Sequence, residues 1–431
     1  TWGATIACEP IATAANSTSS WNSIQAVAML YSTTLIRSAV SAASRSSPVL
    51  PLCRAYSSEP RCSPLDPSRL TIIKTKHPQH PKKPEDLVFG KQFTDHMLAV
   101  EWNHKNGWLA PRIHPYQNLS LDPACSVFHY AFECFEGMKA YKDNHGKLRL
   151  FRPDMNMARF NKSAARIALP TFEPASLTKL IVELVKLDTC FIPEEKGYSL
   201  YLRPTMIGTQ PTLGVGSPGS ALLYVIASPV GPYYPTGFKA VSLEATDYAV
   251  RAWPGGVGDK KLGANYAPCI VPQQHAASRG LQQNLWLFGE EDYVTEVGTM
   301  NMFVVIKNKE SGQKELITAP LDGTILEGVT RDSVLALARE RLVPKGWNVV
   351  ERSFTMKELV EASGQGRLLE AFGTGTAAIV SPIRNILWKG KKVDCGLKET
   401  EESGEAALMF KDWIEAIQYG DMRHPWSYEV S

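Results

Sequence analysis

Hydrophobic positions from about residue 66 onwards follow the two periods that mark helices and strands. Apolar residues recur every three or four positions in three segments, which predicts amphipathic helices at Ala158–Leu169, Leu177–Phe191 and Val329–Leu342. Runs rich in β-branched and aromatic residues predict strands at Ser199–Ile207, Leu222–Ser228, Lys239–Glu244, Leu285–Phe288 and Asn301–Lys307. Because helices and strands are mixed without regular alternation, we expect an α+β fold rather than a doubly wound sheet.

Two breaks in this pattern suggest how the chain is divided. The Pro/Gly-rich run Pro229–Gly237 predicts a connection between a smaller domain at 66–230 and a larger one at 239–431, with the loop itself at 231–238. Residues 1–65 are rich in Ser and Thr and contain no lysine. From Met29 this leader has the Arg-rich, acid-poor character of a mitochondrial transit peptide, cleaved after Tyr56, which predicts the mitochondrial matrix. A disordered Ser-rich tail is the alternative.

Composition and charge narrow the function classes. The chain has 431 residues and a formal net charge of +3, too small to predict nucleic-acid binding by charge. No apolar run reaches the roughly 18 residues that a bilayer-spanning helix needs. The eight cysteines show no CxxC pair, so we expect neither a zinc site nor a disulfide framework, and no metal.

A glycine-rich segment carries the strongest chemical signal. Trp253–Pro268 reads WPGGVGDKKLGANYAP, in which glycines surround two adjacent lysines. Glycines let the backbone approach a ligand closely, and a lysine desolvated in such a segment is a good Schiff-base nucleophile. The alternative is a surface loop with two solvated lysines, and the residues alone do not choose between Lys260 and Lys261.

Three weaker signals point to a cofactor. Glu296 stands among small and apolar residues, where a buried carboxylate needs a partner such as a protonated ring nitrogen or an arginine. Gly323–Thr330 runs directly into a predicted helix, whose N-terminal amides suit a phosphate. The small-residue turn Gly373–Ala378 offers further hydroxyl and backbone donors. Nucleotide-binding glycine motifs are absent from the sequence.

Taken together, these segments resemble the branched-chain amino acid aminotransferases, which are fold-type IV pyridoxal-phosphate enzymes. The resemblance runs from about Asp86 to about Gly420 and is closest to fungal mitochondrial members. It rests on VFHYAFECFEGMKAY, LFRPDMNMARFNKSAARI, YLRPTMIGTQPTLGVG, RAWPGGVGDKKLGANYAPC, LDGTILEGVTRDS and EAFGTGTAA. It implies a two-domain α+β fold, with a smaller N-terminal α/β sandwich and a larger C-terminal pseudo-barrel.

The resemblance also assigns roles to single residues. The family frame K-x-G-x-N-Y starts at Lys261, which implies that Lys261 holds pyridoxal 5′-phosphate as a Schiff base. The other implied cofactor contacts are Arg159, Tyr266, Glu296, Val329, Thr330 and Thr376, with the Arg159 guanidinium binding the phosphate through paired hydrogen bonds. The implied substrate contacts are Phe93, Tyr130, Phe135, Tyr201, Arg203, Tyr233, Thr299, Ala377 and Ala378.

The implied activity is reversible, ping-pong transfer of an amino group between L-leucine, L-isoleucine or L-valine and 2-oxoglutarate. The resemblance further implies a homodimer. D-amino-acid aminotransferases and aminodeoxychorismate lyases share the lysine and the glutamate and are the nearest alternative. A catalytically inactive relative that serves as a binding protein is a second alternative, which the retained Lys261, Glu296, Arg159 and Thr376 disfavour.

Overall fold

The computed structural model describes residues 63–232 and 237–430. The predicted leader therefore lies almost entirely outside the described residues, as does part of the predicted interdomain loop. The last residues assigned to the leader pack on the fold: the Ser63 carbonyl accepts from the Trp108 amide at 2.9 Å, and Leu65 is buried in the core. None of the described helices has the length and apolar character to cross a membrane.

The described chain contains strands and α-helices in a mixed order. The strands are β1 Thr71–Ile72, β2 His96–Asn103, β3 Gly107–Trp108, β4 Arg112–Pro115, β5 Glu133–Phe135, β6 Met138–Lys142, β7 Leu148–Phe151, β8 Ser199–Gly208, β9 Ser220–Val230, β10 Val241–Thr246, β11 Gln283–Phe288, β12 Tyr293–Val297, β13 Met300–Lys307, β14 Lys314–Thr318, β15 Asn348–Glu351, β16 Leu368–Gly375, β17 Ile379–Trp388, β18 Lys391–Asp394 and β19 Ser427–Val430. The helices are α1 Ser126–Tyr130, α2 Pro153–Arg166, α3 Pro174–Leu187, α4 Ile270–Ser278, α5 Val329–Arg341, α6 Met356–Gly364 and α7 Glu405–Gln418.

Local sequence explains where several helices begin. α2 and α3 each begin with a proline, whose fixed φ suits the first helical position and whose missing N–H is not needed there. The Thr355 hydroxyl caps α6 by accepting a hydrogen bond from the Glu358 amide. α5 follows Gly328, which makes no side-chain cap, so the first amides of this helix have no side-chain partner from the cap residue.

The first sheet has ten strands in the order β1-β4-β2-β9-β8-β6-β7-β19, with β3 beside β2 and β5 beside β8. Its longest pairing joins β8 and β9 in antiparallel register, from Ser199↔Val230 to Gly208↔Ala221. Over its first half, β9 alternates between buried and half-buried residues, as a strand does when one face packs on a core. α2 and α3 supply buried residues such as Phe160 and Leu180 to that core.

The second sheet closes on itself. Strands β12, β11, β10, β17, β16 and β13 pair in that order, and β12 also pairs with β13 through Glu296↔Asn301 and Val297↔Met300. These six strands form a closed barrel, from which β14, β15 and β18 extend. Together with the first sheet, the barrel confirms the expected α+β fold with a sandwich and a pseudo-barrel.

The chain returns to the first sheet at its end, because β19 pairs with β7 in antiparallel register. Tyr141 of β6 and Phe151 of β7 also join a core that contains residues of α5 and α7. The two sheets are therefore packed together rather than linked by one loop, and the described residues belong to one compact unit. The predicted domain boundary at 231–238 remains a prediction.

The predicted elements are confirmed with shifted ends. Helices at Ala158–Leu169 and Leu177–Phe191 begin earlier in the structure, at Pro153 and Pro174, and the second continues as a short 3-10 turn. The helix predicted from Val329 begins at that residue. The five predicted strands correspond to β8, β9, β10, β11 and β13.

Candidate active site

A cavity of about 430 Å³ lies between the first sheet and the barrel. Its walls come from α2, β5 and β8 on one side and from β12, β13, the start of α5 and the turn after β16 on the other. Most of the predicted site residues line it: Arg159, Lys261, Tyr266, Glu296, Val329, Thr330 and Thr376 from the cofactor set, and Phe135, Tyr201, Arg203, Thr299, Ala377 and Ala378 from the substrate set.

The lysine segment is held in place by β5. The Lys261 carbonyl accepts from the Phe135 amide at 3.1 Å, and the Gly263 amide donates to Glu133 Oε2 at 2.7 Å. The Lys261 amide donates to the Ser163 hydroxyl of α2 at 2.9 Å. Because the backbone on both sides of the Lys261 side chain is fixed in this way, its amine enters the cavity from a defined position.

Lys261 and Lys260 have different surroundings. Lys261 Nζ donates to the Tyr266 hydroxyl at 3.0 Å and lies 4.8 Å from the centre of the Phe135 ring. Lys260 Nζ instead pairs with the adjacent Asp259 and does not line the cavity. The geometry thus selects Lys261 as the lysine able to react with a ligand in the cavity.

Glu296 is the buried carboxylate that the sequence predicted. Its Oε1 accepts from Asn301 Nδ2 at 2.9 Å and from the Leu326 amide at 3.2 Å. Its Oε2 lies 2.7 Å from Arg251 Nη2 but has no partner in hydrogen-bond geometry, so this contact is an ion pair without a directed bond. Burial raises the pKa of the Glu296 carboxyl above its usual value, against the opposing effects of Arg251 and the Leu326 amide.

Arg159 lies where the sequence placed it, but its paired hydrogen bonds go to a carboxylate. Its Nε and Nη2 donate to the two oxygens of Glu136 at 2.7 and 2.8 Å, and its Nη1 donates to the Glu327 carbonyl at 2.9 Å. Burial opposes the charge, yet Glu136 more than offsets it, so the pKa of Arg159 is raised. A guanidinium has five N–H groups, which leaves two for an anion. The predicted contact of Arg159 with a phosphate therefore falls to these two N–H groups, and it remains a prediction.

Two backbone elements face the cavity as anion-binding groups. Val329 and Thr330 begin α5, so their amides and the helix dipole favour a negative group there. Thr376, Ala377 and Ala378 form the three-residue turn between β16 and β17. Arg203 adds a cationic group to the same cavity. Its guanidinium lies 4.6 Å from the centre of the Phe135 ring, and its buried Nε has no hydrogen-bond partner.

Three predicted substrate contacts do not line the cavity of the described chain. Phe93 stacks on Tyr116 with ring centres 5.0 Å apart. Tyr130 is at the end of α1, where Ala131 adopts a left-handed backbone, and its exposed side chain donates to the Leu213 carbonyl. Tyr233 lies outside the described residues.

Several lining residues were not predicted. Glu133, Met300, Asn301, Leu326 and Thr374 all contribute to the wall. The signal for Glu133 was present, because residues two apart on a strand share a face and Phe135 was predicted. Burial raises the pKa of Glu133, and the Gly263 amide and Arg203 oppose the shift. Asn301 had no such signal, since its role depends on the pairing of β12 with β13.

The site fits one kind of ligand. An amine beside a phenol suits a carbonyl group, and a carboxylate oxygen that accepts no directed hydrogen bond suits a protonated ring nitrogen. A helix N-terminus with two spare guanidinium N–H groups suits a phosphate. Among the described residues no cluster of metal-ligating side chains is present.

Comparison with known proteins decides the family. The family described as amino-transferase class IV matches residues 133–386. This chain belongs to that family. It is 62% identical over 370 residues to the cytosolic branched-chain-amino-acid aminotransferase of Saccharomyces cerevisiae, and the match covers 86% of this chain and 98% of the relative. It is 60% identical over 370 residues to the mitochondrial enzyme of the same yeast, covering 86% and 94%.

A solved structure agrees with the class IV assignment. The branched-chain aminotransferase of the thermophilic archaeon Thermoproteus uzoniensis, solved with norvaline, matches with a TM-score of 0.61 and 26% identity, covering 78% of this chain and 100% of that chain. These findings confirm the resemblance to fold-type IV branched-chain aminotransferases. The class IV chain is a transaminase.

Proposed function

We propose that this class IV aminotransferase transfers amino groups between branched-chain L-amino acids and 2-oxoglutarate with pyridoxal 5′-phosphate. One observation carries the proposal: a single cavity holds the Lys261 amine against Tyr266, the N-terminus of α5, and an oxygen of buried Glu296 that has no directed hydrogen bond. The names of the relatives at 62% and 60% identity support the choice of substrate class.

The cofactor would be held at both ends. Lys261 would bind its carbonyl carbon, and Glu296 Oε2 would accept from its ring nitrogen. Arg159, the amides of Val329 and Thr330, and Thr376 would hold its phosphate. When bound, the cofactor supplies an electron sink for the substrate Cα–H bond electrons.

The side chains of this protein would do the remaining work. Lys261 Nζ moves the proton at the substrate Cα, which requires the amine to be free of the cofactor at that stage. Tyr266, which accepts from Lys261 Nζ at 3.0 Å, orients the amine. Glu296 holds the proton on the ring nitrogen, since a buried carboxylate gains a cationic partner there.

The substrate end of the cavity combines an apolar wall with anion-binding groups. Phe89, Phe135 and Tyr201 line it and would contact a branched aliphatic chain. Arg203, which donates a hydrogen bond to the Tyr201 hydroxyl at 3.1 Å and keeps its positive charge, would bind the side-chain carboxylate of glutamate. The turn at Ala377–Ala378 and Thr299 would bind the α-carboxylate. One pocket therefore accepts both partners of the exchange.

We further propose a homodimer in which Tyr130 completes the partner's pocket. Tyr130 contacts the Leu213 carbonyl, and this surface exposes apolar side chains, with Leu213 66% and Val215 80% exposed. Exposed apolar patches of this kind mark interfaces. A mixture of Lys261→Ala and Tyr130→Ala chains tests it. Mixed dimers should regain activity that neither variant has alone, whereas a mixture as inactive as its components would contradict this role for Tyr130.

The proposed compartment is the mitochondrial matrix. The Arg-rich, acid-poor composition of the leader supports it, as does the mitochondrial relative at 60% identity; the cytosolic relative is 62% identical over the same number of residues. Import into isolated mitochondria is the test. Protease protection should depend on the membrane potential and be lost when Arg37, Arg45 and Arg54 are changed to Gln. Protection that survives these changes would contradict a transit peptide.

The visible absorption spectrum tests the activity directly. Protein purified with pyridoxal phosphate should show a cofactor band that L-leucine shifts without any acceptor. Lys261→Ala should lack this band, while the matched control Lys260→Ala should keep it. A band that ignores L-leucine but responds to a D-amino acid would favour the D-amino-acid aminotransferases instead. Absence of any band would refute the proposal.

A further inference from the structure

The turn Thr376–Ala378 separates two cavities. Ala377 and Ala378 line the candidate active site and also a second cavity of about 340 Å³ behind it. Lys139 of β6 lines the second cavity and does not line the first. Nothing in the proposed chemistry uses Lys139.

Lys139 is a buried cation with an unusual partner. It is 6% exposed, and among the described residues its ammonium donates one hydrogen bond, to the Ala377 carbonyl at 2.8 Å. It forms no ion pair within 4 Å in the described chain, and the carboxylate of Glu415, which lines the same cavity, pairs with Lys411 at 2.8 Å. A buried ammonium without a close counter-ion is costly, so its position calls for a function.

The bond to Ala377 fixes the direction of a second group. The Ala377 carbonyl and the Ala378 amide belong to one planar trans peptide, in which C=O and N–H point in opposite directions. Lys139 holds the carbonyl towards the second cavity. The Ala378 N–H must therefore point towards the candidate active site, and the adjacent charge increases its strength as a donor.

The turn needs this support because its backbone is strained. Ile379, directly after the turn, has φ +62°. A left-handed conformation is unfavourable for a β-branched residue and persists only where the surroundings enforce it. Ile379 is buried, which fixes the turn from the β17 side. Lys139 fixes it from the side of the first sheet.

We propose that Lys139 is a positioning residue for substrate-carboxylate binding, acting through the Ala377–Ala378 peptide. The proposal rests on the function proposed above, in which this turn binds the α-carboxylate. Lys139 links β6 of the first sheet to the anion-binding turn of the barrel. The preference of the site for a carboxylate therefore depends on a residue outside the active-site cavity.

The charge on Lys139 depends on its surroundings. Burial lowers the pKa of Lys139 to about 8, and the Glu415 carboxylate opposes the shift. The amine is therefore charged below about pH 8 and neutral above it. The other charged groups on the same cavity are Lys196, Lys239, Lys411 and Asp412.

Binding of a non-reacting ligand pair tests the proposal. The probe is 4-methylpentanoate, and its neutral control is 4-methylpentanamide, titrated by calorimetry into protein carrying pyridoxal phosphate. Lys139→Met should weaken binding of the carboxylate about tenfold, the scale of one charge-assisted hydrogen bond, and leave the amide unchanged. Lys139→Arg should retain most of the preference. Lys196→Met is the matched control, because it removes a charge from the same cavity without touching the turn.

The outcomes are distinct. An unchanged carboxylate preference in Lys139→Met, or an equal loss in Lys196→Met, overturns the positioning role. If the wild-type protein itself shows no carboxylate preference, the proposed function fails instead.

A pH series on the wild-type protein does not depend on the Met variant folding. Carboxylate binding should weaken as pH rises through about 8, while amide binding stays constant. Lys139→Arg should abolish that dependence. A flat wild-type profile, or the same dependence in Lys139→Arg, overturns the proposal.

Discussion

The buried pair of Arg159 and Glu136 allows a quantitative prediction. Glu136 is fully buried and accepts four hydrogen bonds: two from Arg159 at 2.7 and 2.8 Å, one from Asn156 at 2.7 Å and one from the Gly137 amide at 3.1 Å. In Glu136→Gln, an NH₂ group replaces one carboxylate oxygen. Both oxygen positions receive a hydrogen bond from Arg159, so the NH₂ group would face a donor in either orientation of the amide. The buried guanidinium also loses its counter-charge.

Breaking one side of a buried ion pair costs about 3–5 kcal/mol, whereas a surface pair contributes about 0–1 kcal/mol. We therefore expect Glu136→Gln to lower the free energy of unfolding by about 3 kcal/mol or more. Glu291→Gln is the control, because Glu291 pairs with Lys357 at 3.1 Å and both side chains are more than half exposed.

Denaturant unfolding of cofactor-free protein is the assay, since a bound ligand would add its own stabilisation. Affinity for pyridoxal phosphate should also fall in Glu136→Gln, because Arg159 loses the contact that orients its two spare N–H groups. Loss of less than about 1 kcal/mol, indistinguishable from Glu291→Gln, would refute the assignment of Glu136 as the essential partner.

Other predictions address the site and the backbone. Glu296→Gln should reduce transamination by roughly 100-fold or more. The folded pKa of Glu296 lies above 4.5, so protonation of Glu296 favours the folded state; this contribution is complete below pH 4.5 and is lost as the pH rises through the folded pKa. The cofactor-free wild-type protein should therefore lose stability relative to Glu296→Gln as the pH rises through this window. A relative gain in denaturation experiments would contradict this prediction. Gly263→Ala places a methyl group against the Glu133 carboxylate, so it should displace the Lys261 segment and lower activity roughly 100-fold with an unchanged circular dichroism spectrum. Ala131→Gly should raise the free energy of unfolding by about 1 kcal/mol, because Ala131 has φ 53° and is exposed; a loss of stability would show that its methyl group is needed.

Local patterns predicted the elements that local chemistry determines. α5 begins at Val329 as predicted, because the helical period starts directly after Gly328. α2 and α3 begin earlier than predicted, because a proline at the first position extends the helix before the apolar period becomes visible. Barrel closure left no local trace, because it depends on pairing between β12 and β13.

Site residues could be predicted from the sequence where a single continuous segment indicates the role by itself. The residues around Lys261 indicated a reactive lysine, and the resemblance chose between two neighbours. The partner of Arg159 was not predicted, because Glu136 reaches it from another element. Tyr130 shows the limit of a single chain: its side chain faces outwards, so a role in binding depends on a surface that the sequence does not reveal.

The pairing of β12 with β13 closes the barrel, and this seam has a consequence for the dynamics of the protein. Its two residue pairs, Glu296↔Asn301 and Val297↔Met300, are the shortest pairing in the ring, and three of these four residues line the cavity. The shortest strand pairing of the barrel is thus also part of the wall of the active-site cavity. Local opening follows the weakest contacts, so hydrogen–deuterium exchange should be fastest in the ring at this seam when the cofactor is removed. We therefore expect the bound cofactor to stabilise the closed barrel, and its loss to increase first the local opening of β12 and β13.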